Sequence, residues 1–150
     1  FTLQVFFVLL AGTVLGSRLG FLSILVYVLV GTAGLPVFAG GRGGLAVLLG
    51  PTGGYLVGFV FAAFLAGRFT ELQWGSSVAR TLVGVLAGIV AIYLWGVPWL
   101  AFTMNWPLGE ALAKGMAPFL VLDVVKGVLA ALVAVRLRVL VQRARAAAGR

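Results

Sequence analysis

Long intervals without a single charged side chain are the strongest constraint on what this chain can fold into. Residues 1–17, 19–41, 43–67 and 81–109 contain no Asp, Glu, Lys or Arg, in a sequence of 150 residues that is 63% hydrophobic and 9% charged. Soluble domains carry about 25% charged residues, whereas an apolar run of about 20 residues can cross the hydrocarbon core of a bilayer as a helix. A water-soluble globule is excluded. Lipid cannot satisfy exposed amides, so each interval must close its own backbone hydrogen bonds, and the expected class is an all-α integral membrane protein.

Glycine, proline and charge divide the chain into five expected transmembrane helices. The first covers Phe1 to Gly16 and ends at Gly16-Ser17-Arg18. The second, Leu19 to Gly34, stops at Leu35-Pro36, because a residue before proline is pushed out of the helical region. Ala39-Gly40-Gly41-Arg42-Gly43-Gly44 places four glycines in six residues and forfeits too much backbone entropy to be a stable helix. A second break at Gly50-Pro51-Thr52-Gly53-Gly54 predicts a broken or re-entrant start, then a third helix from about Thr52 to Gly67. The fourth covers Ser77 to Gly96, an interfacial stretch containing Pro98, Trp99, Trp106 and Pro107 follows, and the fifth runs from about Met116 to Val141. Tryptophans clustered in this way suit the headgroup level. The small-residue pairs Gly12 with Gly16, Ala62 with Ala66 and Gly84 with Gly88 permit close helix contact.

A net charge of +8 would suggest nucleic acid in a soluble protein, but five arginines fall in the last fifteen residues, after the final apolar run. Lys and Arg near span ends mark the cytoplasmic side, so no nucleic-acid partner is expected and the partner is the lipid bilayer. Alternation back from a cytoplasmic C-terminus puts positions 18, 68, 80, 136, 138, 143, 145 and 150 inside. Positions 42, 114 and 126 lie outside or near that face. The expected location is the bacterial cytoplasmic membrane, crossed several times, with the glycine-rich irregular loop external. Phe1 then lies on the outer face, which leads to the expectation of one further helix ahead of this sequence.

The chain has neither Cys nor His, which removes thiol chemistry, His-based general catalysis and the usual zinc ligands. No catalytic residues, metal or cofactor are expected. Asp123 and Lys126 stand inside the last apolar run at i and i+3, a spacing that shares one helix face. Charges at such depth cost roughly 2.5 to 3.5 kcal/mol each on insertion scales and usually face a cavity or one another. The pair is therefore either a self-neutralising device for insertion or an acceptor and a cation offered to a polar ligand. Their level, shared with the glycine segment, favours the ligand. Gly41 and Gly53 belong to irregular stretches where backbone can approach a ligand closely. Arg42 either neutralises an anionic ligand or anchors at headgroups, and Gln4 carries a similar ambiguity. Tyr55 either stacks on a ring or faces lipid.

Four blocks in order carry a resemblance: Phe1-Thr2-Leu3-Gln4, Gly34-Leu35-Pro36-Val37-Phe38-Ala39-Gly40-Gly41, Gly50 to Phe59, and Pro118-Phe119 through Asp123-Val124-Val125-Lys126. Together they resemble the BioY family, the substrate-binding S components of energy-coupling factor (ECF) biotin transporters. The resemblance covers essentially the whole chain. It implies a single six-helix S-component domain of which five helices are present here, biotin as ligand near the outer face, and coupling to a transmembrane T component and two ABC-type ATPases. The family's Asp and Lys fall on Asp123 and Lys126, and its loop blocks form pocket walls and a lid. Leu122 departs from the glycine that family members commonly carry before the Asp. Two other readings stand beside biotin capture: a structural membrane subunit, and a membrane enzyme acting on a lipid substrate. The latter predicts Asp clusters for metal-bound diphosphate, and the three acids Glu71, Glu110 and Asp123 are dispersed. Solo transport, a homo-oligomer and a shared energising module all remain compatible with the sequence.

Overall fold

The computed structural model describes residues 3–149, so Phe1 and Thr2 of the opening block and the last arginine, Arg150, lie outside the described residues. Within them the chain forms α1 (Gln4–Leu15), α2 (Ser17–Thr32), a 3-10 turn (Ala39–Gly41), α3 (Leu45–Leu49), α4 (Gly53–Glu71), α5 (Ser77–Met104), α6 (Leu108–Gly115) and α7 (Ala117–Ala148). Three of these, α4, α5 and α7, are long and apolar enough to cross a membrane, while α1 and α2 are shorter apolar helices.

The central packing unit is the antiparallel pair α4 and α5. Its register is set by small residues spaced one turn apart. A Cβ on Gly58 would lie 2.9 Å from Ile92 Cα, one on Gly88 would lie 3.1 Å from the Ala62 carbonyl oxygen, and one on Gly84 would lie 2.6 Å from the Ala66 carbonyl oxygen. Gly84 and Gly88 thus oppose Ala66 and Ala62 across one seam, and backbones approach as closely as they do because no side chains intervene. Gly12 serves a similar purpose on α1: its Cβ would fall 2.9 Å from Ala63 Cα, and a Cβ on Gly20 would fall 2.7 Å from Gly12 Cα. Gly16, by contrast, is the turn itself, with φ +91°, a conformation open to glycine at no steric cost. It lets α2 reverse directly on α1.

Glu71 at the end of α4 holds that turn. Its carboxylate accepts the Ser17 backbone N–H at 2.7 Å and the Ser17 hydroxyl at 2.8 Å. An anion at the start of α2 satisfies an otherwise unpaired amide and complements the helix dipole.

Three helices run further than their apolar patterns suggest, and the first of them, α4, passes Gly67 to end at Glu71. α5 does not stop at Gly96 but continues through Pro98 to Met104. Neighbouring helices in a membrane protein can support a proline-interrupted backbone, and here Gly96 and Val97 are buried against α4. The helix ends where Asn105 adopts the left-handed conformation, φ 54° and ψ 38°. The Trp106 amide then returns to the Ala101 carbonyl at 3.0 Å, the closing bond of a Schellman cap. α7 continues past Val141 to Ala148, because the arginine-alanine tail is made of strong helix formers even though it is not apolar. Its 32 residues make a rod of about 48 Å, longer than the roughly 30 Å hydrocarbon layer.

Candidate functional site

A cavity of about 510 Å³ opens between α1, α4, α5, α7 and the glycine segment, within the range of small-molecule sites. Most of its wall is apolar or aromatic: Phe38, Leu56, Phe59, Ile92, Trp106 and Phe119 all contribute. The polar groups are few. Two of them, Asp123 and Lys126, stand on α7, where Asp123 lies six residues from the start of the helix, about 9 Å along its axis.

Asp123 and Lys126 are both buried, at 7% and 9% exposure. Lys126 Nζ stands 3.4 Å from Asp123 Oδ1, and the Tyr93 hydroxyl donates to Asp123 Oδ2. Each carboxylate oxygen therefore has one partner in place. An oxygen of this kind can accept a second hydrogen bond, so the acid retains capacity for a ligand donor. Tyr93 in turn meets Tyr55 edge to face, with centroids 6.3 Å apart and planes at 89°. Tyr55 donates to the Gly115 carbonyl at 2.8 Å, which ties α4 to the junction of α6 and α7.

The remaining polar wall comes from the opposite side. Gln4 Nε2 donates to the Tyr27 hydroxyl at 2.6 Å, and Tyr27 donates to the Val37 carbonyl at 3.0 Å. This chain links α1 to the segment after α2. Phe38 is buried with its ring edge to face with Tyr27 at 5.6 Å, and its amide donates to the Arg42 carbonyl at 2.9 Å. Arg42 Nε donates to the Ala39 carbonyl at 3.3 Å, leaving a guanidinium at the cavity wall. Lys114 lies 2.6 Å from Glu110 and 4.6 Å from the centre of the Trp106 ring. Arg42, Lys114, Lys126 and Asp123 line the cavity; with Lys114 paired to Glu110 and Lys126 to Asp123, one positive charge is left over, a balance suited to a ligand with one negative group.

Of the residues singled out from sequence, Gln4, Arg42, Tyr55, Asp123 and Lys126 line this cavity together. Gly41 and Gly53 do not. Gly41 has φ +70° and open space around it, so it shapes the turn that carries Arg42. Gly53 is buried at the start of α4, where a Cβ would fall 2.6 Å from the Leu48 carbonyl carbon and 3.2 Å from Trp99 Nε1. It is a packing point between α3, α4 and α5. Trp99 itself donates to the Gly50 carbonyl at 2.8 Å and pins the break that glycine and proline create.

A sequence profile described as the BioY family matches residues 1–143. The chain belongs to the BioY family. The BioY biotin transporter of Thermotoga maritima is 47% identical over 138 residues, covering 92% of this chain and 80% of that protein. A Pyrococcus horikoshii BioY relative is 48% identical over 137 residues, covering 91% and 79%. Among solved structures, the S-component for biotin from an ECF-type ABC transporter superposes with a TM-score of 0.83 at 33% identity, over 91% of this chain and 74% of that one.

Within this BioY chain, sequence reasoning missed Tyr93, Trp106 and Lys114 as wall residues, whereas Phe38 lies in a loop block that the resemblance places in the wall. Tyr93 had a readable signal. An acid within a membrane span requires donors, and Tyr93 is the single hydroxyl-bearing aromatic of α5. Lys114 had none, because its approach to the cavity depends on the short helix α6.

Proposed function

We propose that this chain is a membrane substrate-binding subunit that captures biotin in the 510 Å³ cavity and hands it to an ATP-driven energising module. The observation that carries the reading is the buried Tyr93, Asp123 and Lys126 set at one end of an otherwise apolar and aromatic cavity. Biotin's ureido group presents an N–H donor beside a carbonyl acceptor. A carboxylate and an ammonium 3.4 Å apart match that edge as a unit, Asp123 accepting and Lys126 donating. A division in which Lys126 reaches the valeryl carboxylate while Asp123 takes the ureido group would ask two side chains 3.4 Å apart to hold opposite ends of the ligand. In the present reading the carboxylate turns toward Arg42 or Lys114, and the fused rings lie against the apolar and aromatic wall.

The same proposal includes the membrane arrangement. α1, α2, α4, α5 and α7 are taken as five spans of a single S-component domain in the cytoplasmic membrane, with the arginine-rich end of α7 inside. α1 and α2, at 12 and 16 residues, are about 18 and 24 Å long, and local bilayer thinning accommodates short spans. The partners are a transmembrane T component and two ABC-type ATPases, with a homo-oligomer as the competing assembly. The direct test is a labelled-biotin titration of the purified protein in detergent, beside Asp123→Asn and Lys126→Ala. Losing a charge-assisted hydrogen bond weakens binding by roughly 1.5 to 3 kcal/mol. Wild-type affinity in both folded variants refutes the site, and no biotin binding by the wild-type chain refutes the function.

A further inference from the structure

A second cavity, of about 480 Å³, lies between α2 and α4 and is lined by Ser17, Arg18, Phe21, Leu22, Phe64 and Arg68. Its residues repeat a pattern on two antiparallel helices. On α2, Arg18 is followed one turn deeper by Phe21 and Leu22; on α4, Arg68 is preceded one turn deeper by Phe64. Residues three and four apart share a helix face, so both guanidiniums reach the same end of the bundle and the apolar side chains lie just inside them. Phe21 and Phe64 meet edge to face at 6.2 Å and 83°, forming a continuous aromatic base.

The charges here are only partly balanced by the protein: two guanidiniums stand near one carboxylate. The nearby acid is Glu71, and its carboxylate already accepts the Ser17 amide and hydroxyl, with Arg68 Nη1 at 3.7 Å. Arg18 makes no ion pair among the described residues. It also sits in the first turn of α2, where a cation opposes the helix dipole, so helix stability does not account for its place. Guanidinium groups recognise phosphate oxygens through paired donors. An apolar groove that begins at two such groups and runs toward the membrane centre has the polarity of a phospholipid.

We propose that this groove is a binding site for one anionic phospholipid, its headgroup phosphate held by Arg18 and Arg68 and an acyl chain laid along Phe21, Leu22 and Phe64. The site shares no residue with the larger cavity and does not depend on what that cavity binds.

The experiment is thermal unfolding and native mass spectrometry of the purified chain in detergent with added phosphatidylglycerol, phosphatidylcholine or inorganic phosphate. Phosphatidylglycerol should raise the melting temperature and remain bound as one lipid, and the other two should do neither. Arg18→Gln with Arg68→Gln should weaken lipid retention about tenfold, the scale of lost charge-assisted contacts, while Arg143→Gln with Arg145→Gln leaves it unchanged. Biotin titration of the Arg18 and Arg68 variant reports folding independently of lipid. Equal stabilisation by phosphatidylcholine, or by phosphate alone, overturns the proposal on the wild-type protein without recourse to variants. So does equal loss in the tail variant, which would mean that diffuse charge is responsible. A lipid-independent dimer abolished by Phe64→Ala also overturns it, because the groove would then belong to a second copy.

Discussion

Replacing Tyr93 by Phe removes one oxygen from the centre of the molecule and nothing else. The ring is buried and stays in its edge-to-face contact with Tyr55, so no cavity larger than a hydroxyl is left. What disappears is the donor to Asp123 Oδ2, and among the described residues Asp123 then keeps Lys126 at 3.4 Å. A hydrogen bond to a charged group contributes roughly 1.5 to 3 kcal/mol, and the loss should appear first as reduced thermal stability of the empty protein. The effect on affinity is smaller and has a different origin. Without Tyr93 the carboxylate is free to rotate, and ordering one side chain on binding costs about 0.5 to 1.5 kcal/mol, a factor of roughly two to twelve in Kd. Biotin titrations and melting curves in the same detergent separate the two quantities. Tyr55→Phe is the control: its hydroxyl bonds to the Gly115 carbonyl and not to Asp123, so it should lower stability with little change in Kd. The reasoning fails if Tyr93→Phe binds biotin as tightly as wild type, or if the two tyrosine variants cannot be told apart.

Neutralising Arg42 or Lys114 to Gln should weaken binding of biotin but not of an uncharged biotin amide; equal losses for both ligands would remove the carboxylate from that end of the cavity. Gly84→Ala drives a methyl to within 2.6 Å of the Ala66 carbonyl oxygen, and overpacking of this kind costs about 1 to 3 kcal/mol, read as a lowered melting temperature; an unchanged melting temperature would mean that α4 and α5 separate easily. Hydrogen exchange over residues 39–54 should slow on saturation with biotin, since Phe38, Ala39, Arg42, Val47 and Thr52 line the cavity, and unchanged protection rejects a closing lid. Because the chain contains no Cys, a cysteine placed at the exposed Gly109, where a Cβ meets nothing within 4 Å, should react with an impermeant reagent from outside the cell and one at Arg143 should not, and the reverse pattern inverts the topology.

The helices were legible because charge-free length and glycine-proline punctuation act locally: Gly50-Pro51 does separate α3 from α4, and Gly16 does turn α1 into α2. The course of α5 was not legible. Pro98 stops a helix in water, where the freed carbonyl has no better partner than solvent, but between packed helices the same residue is carried through to Met104. The end of α7 was misplaced for the opposite reason, since hydropathy marks where a helix leaves lipid and not where it ceases to be helical. At the site, spacing alone brought Asp123 and Lys126 onto one face, and they pair there. Tyr93 and Gly53 required tertiary information. One is thirty residues from its acid in sequence, and the other looks identical to a loop glycine until Trp99 and Leu48 are seen against it.

The placement of the ion pair also bears on why capture and membrane insertion are compatible in one helix. Asp123 or Lys126 alone in the hydrocarbon would be expensive, and removing one partner of a buried pair leaves the other uncompensated, at roughly 3 to 5 kcal/mol. With Lys126 and Tyr93 in contact, Asp123 is satisfied without a ligand, so the empty cavity does not demand that an adventitious donor fill it. The second acceptor positions on the carboxylate remain for a ureido-like group. Selectivity then follows from desolvation: a ligand that covers Asp123 without donating to it removes solvent from a charge and returns nothing. A ligand with an N–H and a carbonyl side by side compensates both members of the pair at once. On this basis an analogue in which the ureido N–H groups are methylated should lose far more affinity than one altered in the sulfur ring, because only the first leaves the pair covered and unmatched.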